Sequence, residues 1–155
     1  MGVDPSTLMQ LRLRDIVSYQ ARDFVVEGLL TYRIAGKSHR LARLVDGDTV
    51  RWLEPVADDA DDRVIMFEEV TGLDVETPPP PTIAYQGRSY LPRLTGSAIV
   101  EGAGRLPDRV AGTCDLWRYR AAGDLYLQIE RWPDRLVTLA GESVHRDMIE
   151  VLPSP

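Results

Sequence analysis

Cysteine, histidine, lysine and asparagine are scarce or missing in this 155-residue chain, and each shortage excludes something. One cysteine, Cys114, has no partner for an internal disulfide. Two histidines, His39 and His145, lack a second histidine or cysteine two or four residues away, so no spaced zinc site and no metal is expected. No apolar run approaches the roughly 20 residues of a membrane-spanning helix. Residues 1–14 show no basic, apolar, small-residue order of a signal peptide, so a cytoplasmic location is expected. Asparagine is absent and Lys37 is the single lysine among 18 basic residues. Both types use AT-rich codons, so their joint loss reads as GC-rich coding before it reads as an arginine surface for phosphates.

The net charge of −6 has a local origin. Between positions 57 and 76, Asp58, Asp59, Asp61, Asp62, Glu68, Glu69, Asp74 and Glu76 face only Arg63. That window carries −7, which leaves +1 for the rest of the chain. Phosphate-driven association scales with the cations a protein presents, so nucleic acid is not an expected partner. With 44% hydrophobic and 27% charged residues, the chain has the composition of a folded globular domain.

Hydrophobic periodicity is two, the strand period. Leu125, Leu127 and Ile129 fall on one face, and Tyr126, Gln128, Glu130 and Trp132 on the other. Comparable runs cover 15–19, 23–34, 39–44, 49–54, 64–70, 82–85, 89–91, 98–101, 113–120, 135–139 and 148–152. Asp46-Gly47-Asp48 and Ala122-Gly123-Asp124 read as hairpin turns between them. Only 5–12 suits a short helix, with Asp4 or Ser6 as cap. The predicted class is therefore all-β, a sandwich or barrel.

Four prolines, Pro78 to Pro81, divide the chain near its midpoint and read as an extended linker. The flanks echo each other. Tyr19-Gln20-Ala21-Arg22 aligns with Tyr85-Gln86-Gly87-Arg88, and Gly47-Asp48 through Glu54 aligns with Gly123-Asp124 through Glu130. Such self-similarity predicts two related β halves, 11–76 and 83–152, joined by 77–82. A unit this small supplies a marginal core, so the halves are expected to pack as one compact body. The opening Leu13–Tyr19 strand, turn and Phe24–Gly28 strand look like the start of an SH3-like barrel.

Asp15-x-Val17-x-Tyr19, Phe24-x-Val26-x-Gly28 and Trp52-Leu53 in the first half resemble a known bacterial family, domain of unknown function 4178. The second half continues the likeness with Tyr85-x-Gly87-x-x-Tyr90, Gly96-x-Ala98, Gly104-x-Leu106-Pro107, Leu127-x-Ile129-Glu130 and Gly141-x-x-Val144. The resemblance spans roughly 11–152. Family members usually carry an aromatic-led strand where this chain has Ser38-His39-Arg40-Leu41. The resemblance implies shared fold and no mechanism, since the family has no established activity.

The chemistry-bearing residues form no catalytic frame. Asp58-Asp59-Ala60-Asp61-Asp62 misses the ligand and glycine positions of a calcium loop and reads as a solvated acidic loop. No Gly-x-Ser-x-Gly elbow exists, Cys114 lies in an alternating strand, and Gly102, Gly104 and Gly112 open no phosphate-binding helix. Glu54 and Glu130 occupy equivalent strand ends. Glu130 shares its face with Tyr126 and Trp132, where it either receives a ligand ammonium or pairs with Arg118, Arg120 or Arg131 on a solvated face. The expectation is a binding or interaction module without cofactor, its partner a protein. Trp52, Trp117, Tyr119, Glu130 and Trp132 would supply the exposed contact surface. The alternative is a ligand-binding protein or enzyme with a pocket between the halves, using Glu130 and His145. Peripheral membrane contact stays open.

Overall fold

The computed structural model describes residues 5–55, 62–107 and 111–154, the side chains of Pro5 and Ser6 excepted. Asp4, the side chain of Ser6 and the acidic residues Asp58, Asp59 and Asp61 lie outside the described residues. A short helix α1 (Pro5–Met9) precedes β1 (Ile16–Tyr19), β2 (Arg22–Ile34), β3 (Lys37–Asp46), β4 (Thr49–Glu54) and β5 (Arg63–Glu69). Then come β6 (Ile83–Tyr85), β7 (Arg88–Gly104), β8 (Gly112–Ala121), β9 (Leu125–Trp132) and β10 (Arg135–His145). A 3-10 turn (Arg146–Met148) leads into β11 (Ile149–Leu152). Among the described residues no helix is long and apolar enough to cross a membrane.

Strands β2-β3-β4-β5 and β10-β9-β8-β7 run in two antiparallel meanders. They join at β5–β10 (Phe67 opposite Gly141) and at β2–β7 (Tyr32 opposite Val100), which closes an eight-stranded barrel. The all-β barrel predicted from periodicity is borne out. Neither half closes on itself; each contributes four consecutive staves to a single ring. Four strands cannot satisfy both of their edges, whereas pairing the two open meanders removes four edges at once.

Local sequence fixes the hairpins. Gln20 and Ala21 connect Tyr19 to Arg22 with both φ angles positive, and Gln86 and Gly87 connect Tyr85 to Arg88 in the same way. Two consecutive left-handed residues define the turn whose twist suits a two-residue hairpin. The expected strands 89–91 and 98–101 are one continuous β7. Its ladder slips between Pro92 and Leu94, beyond the last β6 partner at Tyr90, where a residue without an N–H is tolerated.

Both faces of the barrel wall are covered. Inside, Leu30, Tyr32, Trp52, Phe67, Tyr126 and Leu139 belong to one apolar cluster. Outside the first half, Leu8 and Leu11, together with Val17 and Ile149, pack on Leu44, Leu53 and Met66. Outside the second, Leu73, Val75, Ile83 and Tyr90 pack with Leu127 and Ile129. The proline segment lies along this outer face, where the Tyr119 hydroxyl donates to the Pro80 carbonyl at 2.8 Å. Asp15 ties the chain ends together by accepting from the Arg12 N–H (2.9 Å) and the Ser154 N–H (2.8 Å). Burial alone would raise its carboxyl; the N–H groups of Ser154 and Arg12 hold it below the usual range.

Candidate functional site

The residues expected to form an exposed contact surface do not form one. Glu130 is fully buried, Tyr119 is 2% exposed, Trp52 4% and Trp132 5%, and Trp117 is half-buried. Alternation along β9 is as predicted, but its polar face points into the barrel and its Leu127–Ile129 face is covered from outside. Trp52, Glu130 and Trp132 are interior groups, while Trp117 and Tyr119 belong with the outer cluster of the second half. The five are therefore split across the barrel wall.

Inside, polar side chains satisfy one another. Glu130 accepts from the Tyr32 hydroxyl (2.8 Å), the Gln128 amide (2.8 Å) and the Trp132 indole N–H (3.0 Å). Arg118 donates from Nη1 to Glu54 Oε2 at 2.9 Å, from Nη2 to Glu54 Oε1, and from Nε to Gln128 Oε1 at 3.0 Å. Its guanidinium also lies 5.6 Å from the Phe67 ring centroid. Burial pushes the Glu54 carboxyl up, and the opposing Arg118 charge and hydrogen bonds, helped by His39, pull it down to about 2. His39 Nδ1 lies 3.7 Å from Glu54 Oε2 at the end of this chain of contacts. A recess of about 210 Å³ adjoins His39, Glu54, Arg118 and Leu94, and a water-sized sphere does not fit in it. Carboxylates so fully occupied by donors act as structural anchors, since buried charge is tolerated only when paired.

His145 does not join Glu130. It is partly exposed, accepts from the Asp147 N–H at 3.2 Å and lies 3.4 Å from Asp62. Cys114 is buried. Arg120 pairs with Asp124 at 2.9 Å, and Arg131 pairs with Asp115.

A different site lies outside the barrel, over the β5–β10 seam. The hairpin turn at Gln20 and the hairpin turn at Gln86 both line a cleft of about 480 Å³. Met66 and Glu68 from β5, with Ala140 and Glu142 from β10, line it as neighbours in the seam register. Tyr19, Tyr85 and Tyr90 contribute aromatic rings, and Arg51, Arg88 and Leu125 complete the principal lining. Gly141 leaves its interior side to Phe67: a Cβ there would lie 2.6 Å from Phe67 Cδ1 and 2.9 Å from the Met66 carbonyl. Burial raises the Tyr19 hydroxyl, and the Glu142 charge adds to that against Arg51. Burial likewise raises Tyr90, reinforced by Tyr85 and opposed by Arg88. Both hydroxyls thus remain protonated donors at neutral pH.

The family described as Domain of unknown function (DUF4178) matches residues 12–146, nearly the whole chain. The chain belongs to DUF4178. No curated protein and no solved structure matches it. Every residue named above for the DUF4178 cleft falls within the matched span. The two Tyr-Gln turns stand out in the sequence as an internal echo, without a sign in either turn alone that it lines a cleft. The signal of a site was the spacing itself, because equivalent turns on two halves of one barrel flank a shared seam.

Proposed function

We propose that this protein is a binding module that takes its ligand in the cleft over the β5–β10 seam. The observation that carries this reading is the cleft itself. Its volume of about 480 Å³ falls in the range of small-molecule sites, and its walls mix aromatic rings with a few polar groups. Binding is favoured over catalysis by the placement of the reactive side chains. Glu54 and Glu130 are engaged inside the barrel, and Cys114 is buried. Duplication of one β unit fits the equivalent turns at Tyr19-Gln20 and Tyr85-Gln86, and with it the pairing of the two walls.

Amide chemical shifts of the labelled protein, followed against pooled small polar compounds, test the proposal. Perturbations should concentrate at Gln20, Gln86, Glu68 and Gly141. Replacing Glu68, exposed on β5, with tryptophan should fill the cleft and abolish them without lowering the melting temperature. Shifts confined to other surfaces, or none with any pool, would sink the reading.

A further inference from the structure

Four charged side chains line the cleft, Arg51, Glu68, Arg88 and Glu142, so its formal charge is zero. They are not equivalent. Arg51 Nη1 lies 3.3 Å from Glu68 Oε2, and that pair neutralises itself. Among the described residues, Glu142 has no ion pair. Arg88 has none either, and among the described residues its side chain makes one hydrogen bond, from Nη1 to the Ala122 carbonyl at 3.3 Å. A guanidinium carries five N–H donors, so most of its fork is left for a ligand.

The two unpaired charges flank one apolar residue. Leu125 faces Glu142 across the β9–β10 ladder and closes the 122–124 loop that Arg88 contacts. The Glu142 side has Tyr19 beside it, and the Arg88 side has Tyr85 and Tyr90. Gln20 and Gln86, both exposed on the turns, each carry an amide that donates and accepts, the same pattern as a peptide group.

We infer that the ligand is a zwitterion of the amino-acid or short-peptide class, with its ammonium at Glu142 and its carboxylate at Arg88. This rests on the cleft being the ligand site. A simple anion would meet Glu142 as a like charge, and a simple cation would meet Arg88. A molecule with both charges satisfies the two groups together, and its apolar middle covers Leu125. The Tyr19 ring adds cation–π attraction at the ammonium end, and Arg88 offers a forked, charge-assisted contact at the carboxylate end.

Glycyl-leucyl-glycine and free leucine are the probes, compared with the N-acetylated, C-amidated and doubly blocked tripeptides in amide-shift titrations. Free tripeptide or leucine should move the Gln20, Gln86 and Gly141 amides, and each blocked terminus should weaken the tripeptide about tenfold. Arg88→Gln should erase the penalty for amidation and keep that for acetylation; Glu142→Gln should do the reverse. Equal binding of free and blocked peptides overturns the inference, as does a single-charge compound that occupies the cleft while neither probe binds. Either result leaves the cleft itself standing as a site. Silence of the cleft amides toward every compound overturns both readings.

Discussion

Arg118 grips Glu54 through both terminal nitrogens, linking β8 of the second half to β4 of the first inside the barrel. Both side chains are at most 4% exposed. Removing one partner leaves the other charge buried without compensation, whereas removing both does not. Glu54→Gln and Arg118→Met should each cost about 3–5 kcal/mol. The combined Glu54→Leu, Arg118→Met variant should cost less than either single change. Urea unfolding of the three variants checks this, and a double variant weaker than both singles would refute it.

The same carboxylate predicts how acid acts on the fold. Its folded pKa of about 2 lies below the ordinary 4.5, so its contribution is fully present above 4.5 and drains away toward 2. That difference corresponds to about 3 kcal/mol. Wild type should therefore lose stability across this window, and its advantage over Glu54→Gln should shrink with it. Chemical denaturation at stepped pH values measures both trends. A gap that is constant from neutral pH down to 2.5 would contradict the assignment.

Glu130 is a shared acceptor for Tyr32 and Trp132. Tyr32→Phe deletes only a hydroxyl and should cost about 1–3 kcal/mol, because a buried acceptor loses one of its donors. Trp132→Phe removes the indole N–H and some packing volume. Because both donors serve one carboxylate, their effects should couple by at least about 0.5 kcal/mol in a double-mutant cycle. Strict additivity would show that the two bonds are independent.

Ala21 occupies a left-handed position at φ 60°, and the equivalent place in the other turn is held by Gly87. A β-carbon there costs roughly 1–2 kcal/mol, and glycine returns part of that gain as chain entropy. Ala21→Gly should raise stability by about 0.5–1 kcal/mol, read as an increase in melting temperature. A decrease would mean that the turn does not hold the described geometry.

Alternation in the sequence located the strands well because period two survives whether a face meets water or protein. It could not decide which face meets which. Gln128 and Glu130 are the residues that normally mark a solvated face, yet in β9 they point inward, where Arg118, Tyr32 and Trp132 satisfy them. The opposite face, Leu127 and Ile129, is covered by a segment that carries Leu73, Val75 and Ile83. Inside and outside are thus settled by long-range partners, and a strand buried on both faces conceals that from its own sequence. The cleft was hidden for a related reason. Its walls come from positions near 20 and 86 and its floor from positions near 67 and 141, so only ring closure assembles them.

Closing the ring has a further effect on how this molecule meets its neighbours. Strand addition needs a row of unpaired backbone groups, and the sheet order ends at β11 on one side and β6 on the other. These terminal strands span four and three residues, respectively. Among the described residues a longer open edge lies within β7, where 91–98 pair with β8 on one side and with neither β6 nor β2 on the other. Pro92, which has no N–H, and the ladder slip beside it interrupt that stretch, so an incoming strand could not zip along its full length.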